Sequence, residues 1–336
     1  MVNRLGALDA AFLYVEEASL PMHVGSVMVF QPPEGGFDYD NFVRVVGDRI
    51  AGHARYRQRI RAVPARLDNP VWVDDVHFDL SYHVRRSGLP SPGSRADLED
   101  YVARIMARPL DRSRPLWEAY FVEGLADGRF AIVTKAHQAM VDGIHAVDLA
   151  HLIVDPDAVP VDERAGDPAP EPSDLRLVAD AVVRSVLNPA RAITTVRTGL
   201  SDIASTGRQV AESTGRVVST LARVGAQPAP QSPLNAPVGA ARRYVMVETD
   251  LEDYRTVRSR LTRGRYVEDV TVNDVILATI TGALRSWMQT RGLPVTGTSK
   301  IRAMIPVSIV DGTGDHLTDE AMTACFVDLP IGENTP

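Results

Sequence analysis

The stretch that most constrains the fold is Ala131-Ile132-Val133-Thr134-Lys135-Ala136-His137-Gln138-Ala139-Met140-Val141-Asp142-Gly143-Ile144-His145. A short apolar, β-branched run ends on a polar pair. Asp-Gly then punctuates the chain before residues 144–154, which are apolar over a length that suits a helix. The pattern predicts strand, turn, helix. Upstream, Asp127-Gly128 separates the runs 117–122 and 130–137 and predicts a hairpin, so the polar pair closes a strand of a sheet.

A strand end is rigid while the residues after it lie open, so a side chain there can reach a ligand. His137 is the first candidate for chemistry, because a histidine near neutral pH can take a proton from a hydroxyl. Asp142 could orient the loop or pair with Lys135 or an arginine, and Gly143 permits a positive φ or a close backbone approach. A purely structural histidine remains the other reading.

Length sets a prior of about two domains for the 336 residues. A hydrophobic share of 45% with 24% charged residues is ordinary for a globular protein. The net charge of −7 argues against a nucleic-acid partner, whose phosphates need a basic face. Cys325 stands alone, which leaves no intramolecular disulfide and no cysteine metal cluster and fits a cytoplasmic location. The N-terminus lacks the apolar run of a signal peptide, and no stretch is long enough to span a bilayer. Any membrane or lipid-droplet surface would be touched peripherally. Without a glycine-rich phosphate loop, metal motif or nucleotide motif, no cofactor is expected.

Three regions divide the chain. Residues 1–155 form an N-terminal domain with the His137-Gln138 motif, 156–235 a proline-rich linker with connecting helices, and 236–336 the start of a second domain. In the first, residues 24–30 predict a strand and 39–50 a helix carrying Phe42, Val45, Val46 and Ile50. Arg55, Arg57, Arg59 and Arg61 then alternate, as either a basic strand edge or an anion site. His77 and His83, six apart, lack the surroundings of a metal site. Residues 98–106 predict a helix, and Pro109 to Glu118 an ordered turn feeding the strand at Trp117. Residues 155–174 are rich in proline and acids, as a linker should be. Helices are expected at 175–187 and 190–224, the latter locally basic and either a solvated connector or a lipid-facing segment. Beyond lie a strand at 243–249, helices at 251–261 and 272–291 with Asn273 where an N-cap could be, and strands at 301–307 and 324–329.

His137-Gln138-Ala139-Met140-Val141-Asp142-Gly143 resembles the His-His-x-x-x-Asp-Gly motif of the bacterial wax ester synthase/diacylglycerol acyltransferase family. Leu8-Asp9-Ala10-Ala11-Phe12, Trp72-Val73-Asp74-Asp75 with Phe78-Asp79-Leu80 and His83-Val84, Pro115-Leu116-Trp117-Glu118, and Asn273-Asp274-Val275-Ile276-Leu277-Ala278 agree in the family's order. The resemblance spans nearly the whole chain. It implies an α/β protein of the two-domain CoA-dependent acyltransferase (chloramphenicol acetyltransferase-like) fold, with the active site in a tunnel between the domains. Family members continue beyond this point, so a second domain that stops short of its full sheet is expected.

The implied reaction moves a long-chain acyl group from acyl-CoA, a substrate rather than a cofactor, to diacylglycerol or a long-chain alcohol. In the family the second histidine of the motif is the general base, and here Gln138 holds that position. Glutamine can donate and accept hydrogen bonds but cannot carry a proton away. His137, Gln138 and Asp142 are therefore the candidate catalytic residues, with Gly143, Pro115, Trp117, Asn273 and Asp274 as substrate-binding or supporting residues. The substitution opens an alternative, a weak or inactive relative that binds lipid or acyl-CoA. A condensation-domain relative using an amine acceptor or a carrier-protein donor is a third reading, from fold analogy.

Overall fold

In the computed structural model the described residues are 3–140, 149–154, 168–187, 230, 232–263, 270–308 and 322–333. Asp142, Gly143 and the expected helix at 190–224 lie outside them. The chain divides into two compact units, one holding the elements up to residue 187 together with Val238–Tyr244, the other holding Val245–Val307 and the final strand.

The first unit is built on a four-stranded sheet. Its strands are β1 (His23–Phe30), β4 (Val84–Gly88), β5 (Trp117–Glu123) and β6 (Phe130–His137), in the order β1-β6-β5-β4. β6 runs antiparallel to both β1 and β5, and β4 runs parallel to β5. The expected hairpin joins β5 to β6, and Asp127 takes a φ of 62° and Gly128 one of 68° to make the turn.

Period-two alternation sends Trp117, Ala119 and Phe121 of β5, with Phe130, Ile132 and Ala136 of β6, to one face. Helix α1 (Ala7–Val15), α2 (Tyr39–Ala51), the single turn α3 (Leu80–His83) and α5 (Leu149–Val154) add to the core there. α2 buries Phe42, Val46 and Ile50, one residue per turn, and the Asp38 carboxylate accepts the Asn41 N–H at its start. Trp117 is fully buried, donates its ring N–H to the Tyr56 carbonyl at 2.8 Å and stacks on His83 at 4.6 Å. His83 is thus a core residue, its Nδ1 2.7 Å from the Trp117 carbonyl oxygen.

The opposite face is covered by α4 (Arg95–Ala107), which begins with a capping box between Ser94 and Asp97, three residues earlier than the apolar pattern indicates. Here Glu118 pairs with Arg85 at 3.0 Å and accepts from the Tyr120 hydroxyl at 2.6 Å. Lys135, opposite Glu118 in register and fully buried, donates to the carbonyls of Ile105, at 3.0 Å, and Arg108. Gly25 faces Lys135 across β1 and β6, and a Cβ there would stand 2.6 Å from the Thr134 carbonyl oxygen.

A two-stranded antiparallel sheet, β2 (Gln58–Arg61) with β3 (Val71–Asp74), packs Val71 and Val73 on Leu177 and Ala181 of α6 (Asp174–Leu187). The arginine alternation resolves in part as a basic strand edge, since β2 lies in a sheet of two strands and carries Arg59 and Arg61. Arg55 and Arg57 sit in a 3₁₀ turn, and Arg59 and Arg61 pair with Glu171 and Asp174 of this same chain at 2.6 to 2.7 Å.

The second unit contains α7 (Leu251–Arg263), α8 (Val272–Thr290) and the paired strands β7 (Ile301–Ser308) and β8 (Met322–Leu329). Met288, Ile301 and Ile331 form its small core. Two expectations change here. Thr271, not Asn273, caps α8, because the Thr271 hydroxyl and the Asp274 carboxylate satisfy the end reciprocally. Residues 243–249 join no ladder, and Val245 and Val247 stay exposed. Alternation specifies the two sides of a strand but supplies no partner for its backbone.

Candidate active site

β6 ends on His137, and its backbone is held from both sides. The His137 N–H donates to the Leu116 carbonyl at 2.9 Å, and the Gln138 N–H to the Met22 carbonyl at 2.7 Å. A single 3₁₀ turn, Gln138–Met140, follows, and within it the Ala139 N–H donates to His137 Nδ1 at 3.0 Å. Nδ1 accepts that bond only with its lone pair free, so the neutral ring carries its proton on Nε2.

Nε2 lies 3.6 Å from a carboxylate oxygen of Glu16, the residue that ends α1. His23 stands opposite His137 in the β1–β6 register, with its own Nε2 3.4 Å from the other Glu16 oxygen. Both contacts are longer than an ordinary hydrogen bond, and in each a ring nitrogen faces the carboxylate. Arg112, in the turn before β5, donates to Glu16 at 2.5 and 3.1 Å and to the Leu13 carbonyl at 2.9 Å, and the Met22 N–H donates to Glu16 at 3.1 Å. Burial alone would raise the Glu16 pKa. The contacts with His137, His23 and Arg112 outweigh it and hold the carboxyl well below the usual range. Burial depresses the pKa of His23, against the pull of Glu16.

The sequence-predicted residues fall in different places. His137 is only 1% exposed, with both ring nitrogens turned to the protein interior. Gln138 is half-buried, and among the described residues its side-chain amide has no hydrogen-bond partner. Pro115 and Trp117 are buried, and the Trp117 N–H closes the turn onto the Pro115 carbonyl at 2.9 Å. Lys135 is committed to the α4 carbonyls. Asn273 is exposed in the first turn of α8, and the Asp274 carboxylate is taken by Thr271. Asp142 and Gly143 are outside the described residues.

Sequence reasoning missed Glu16 and His23. The available signal was an in-phase histidine opening β1 and a carboxylate ending the first helix, and neither points to His137 until the β1–β6 register is known. Among the described residues no group of three or more His, Cys, Asp or Glu is placed to hold a metal ion. A small, mostly apolar cleft of about 170 Å³ opens on the α4 side of the sheet, between Gly25, Val27, Val102, Met106, Val133 and Tyr244.

Known proteins resemble the chain over most of its length. Residues 5–276 match the family model of the wax ester synthase/diacylglycerol acyltransferase catalytic domain. A probable diacylglycerol O-acyltransferase of Mycobacterium tuberculosis, tgs3, is 43% identical over 265 residues, covering 77% of this chain and 97% of the relative. A second, tgs1, is 33% identical over 343 residues, covering all of this chain and 68% of the relative. Among solved structures, the wax ester synthase/diacylglycerol acyltransferase of Marinobacter aquaeolei VT8 superposes with a TM-score of 0.56 at 28% identity, over 92% of this chain and 66% of that one. The first condensation domain of the calcium-dependent antibiotic synthetase, at 14% identity and a TM-score of 0.51 over 97% of this chain and 69% of that one, shares the fold alone. The fold is therefore the mixed α/β, two-domain type expected from the resemblance. A non-catalytic binding protein finds no support among these relatives. The chain belongs to the wax ester synthase/diacylglycerol acyltransferase family of O-acyltransferases.

Proposed function

We propose that this chain transfers a long-chain acyl group from acyl-CoA to the hydroxyl of diacylglycerol or of a fatty alcohol, forming triacylglycerol or wax ester at the Gln138 turn. One observation carries the reading. The turn is fixed by backbone hydrogen bonds from His137 to Leu116 and from Gln138 to Met22, which hold the half-buried Gln138 at the motif's second position.

The Gln138 side-chain oxygen accepts a hydrogen bond from the acceptor hydroxyl and orients it toward the thioester carbonyl. The hydroxyl oxygen bonds to the carbonyl carbon, the carbon–sulfur bond breaks, and the hydroxyl proton passes to the departing thiolate, leaving ester and free CoA. His137 fixes the turn and transfers no proton in this scheme, because its two nitrogens face Ala139 and Glu16. Both acceptors are lipids, so they would be met at a membrane or lipid-droplet surface. No helix of the described residues is long and apolar enough to cross a membrane.

The test is CoA release from palmitoyl-CoA with diacylglycerol or hexadecanol, in the protein and its Gln138→His variant. Slow turnover by the parent is expected, with kcat raised on the order of a hundredfold in the variant by general-base catalysis. A parent that releases no CoA above background while the variant does would overturn the scheme.

A further inference from the structure

Glu16 gathers four separate pieces of chain on one carboxylate. It ends α1, accepts the Met22 N–H just before β1, receives Arg112 from the turn before β5, and faces His23 and His137 on neighbouring strands. Its side chain is only 10% exposed. A buried carboxylate needs such partners, but Arg112 and the Met22 N–H already satisfy it. The approach to His137 is additional, and it falls on the one ring nitrogen that Ala139 leaves open.

We propose that Glu16 is a positioning residue of this site: it orients the His137 ring, and through the Ala139 N–H that the ring accepts, it holds the turn that presents Gln138. A carboxylate facing one imidazole nitrogen fixes both tautomer and orientation. Here the other nitrogen is tied to the catalytic turn itself, so the ring is a strut between carboxylate and turn. The charged and titratable groups around the carboxylate are Arg112 from the pre-β5 turn, His23 from β1, and His137 and Lys135 from β6. Among the described residues its ionic partners Arg112, His23 and His137 are basic, and a glutamine in its place keeps the shape while removing the charge that faces them.

The proposal rests on the acyltransferase reading for its kinetic arm alone. Glu16→Gln and Glu16→Asp are compared with the parent by steady-state kinetics with palmitoyl-CoA and by nitrogen NMR of the His137 ring. Glu16→Gln is expected to lower kcat tenfold to roughly a hundredfold with KM nearly unchanged, the scale of a misplaced reacting group. The Nε2–H tautomer signature of His137 should be lost or averaged in that variant, and Glu16→Asp should restore part of both. If Glu16→Gln keeps the parental kcat and tautomer signature, the proposal is overturned, and a fall in thermal stability alone would mark a structural role. If the parent shows no turnover, the acyltransferase reading fails and the NMR arm decides on Glu16 by itself.

Discussion

One face of the β1-β6-β5-β4 sheet sets Trp117, Ala119 and Phe121 against α2, and the other sets Arg85, Glu118, Tyr120 and Lys135 against α4. Both faces are buried. The first is held by area and shape, with Phe121 within 5.1 to 6.5 Å of the rings of Phe37, Tyr39, Phe42 and Phe130. The second is held by partner counting, since every polar group taken from water there must be satisfied by a named neighbour. His137 and His23 continue the second face to its end, so the candidate site lies on that face.

The largest effect that tests this contrast comes from the apolar face. Phe121→Ala is expected to cost about 3–5 kcal/mol in urea denaturation, the loss of a fully buried ring plus the cavity it leaves. A cost under about 1 kcal/mol would show that the face collapses freely and is not shape-specified.

Lys135 supplies the middle effect, and its sign is distinctive. Burial lowers its pKa to about 8 from an ordinary 10.5. Below pH 8 the lysine is charged in both states and the burial cost is fully present. Between about 8 and 10.5 the native state sheds the proton that the unfolded chain keeps, so this group makes stability rise with pH, by up to about 3 kcal/mol. Lys135→Met should remove that rise and leave the variant the more stable at neutral pH. Parallel urea curves for both proteins from pH 7 to 10 would contradict the assignment.

Tyr101 provides the smallest. Its hydroxyl donates to Ser87 Oγ at 2.5 Å across the α4 contact, and Tyr101→Phe should cost about 0.5–1.5 kcal/mol in the same assay.

The same contrast explains what could be read from the sequence. The apolar face was legible, because period-two runs and an Asp-Gly turn specify β5 and β6 and their pairing without any distant information. β6 ends at His137 as the pattern indicates. Glu16 and His23 were not legible, because their link to His137 crosses more than a hundred residues and depends on which strand lies beside β6. The segment at 243–249 shows the converse failure, alternation without a ladder. At α8 the helix start was visible but its cap was assigned to Asn273, because the Thr271–Asp274 reciprocity depends on side-chain rotamers that spacing does not report. Gln138 was legible as a departure from the motif, but its half-open setting beside a fully enclosed His137 required the fold.

The bond from Lys135 to the last carbonyls of α4 has a mechanical meaning. Glu118, opposite Lys135 in register, attracts the ammonium group but is bonded to Arg85 and Tyr120, and the negative end of the helix macrodipole adds a second counter-charge. Such a counter-charge exists only at a helix end. Were α4 to slide along the sheet by one turn, about 5.4 Å, the cation would face paired mid-helix amides and lose it. The lysine therefore works as a detent, fixing how far along β6 the helix rests.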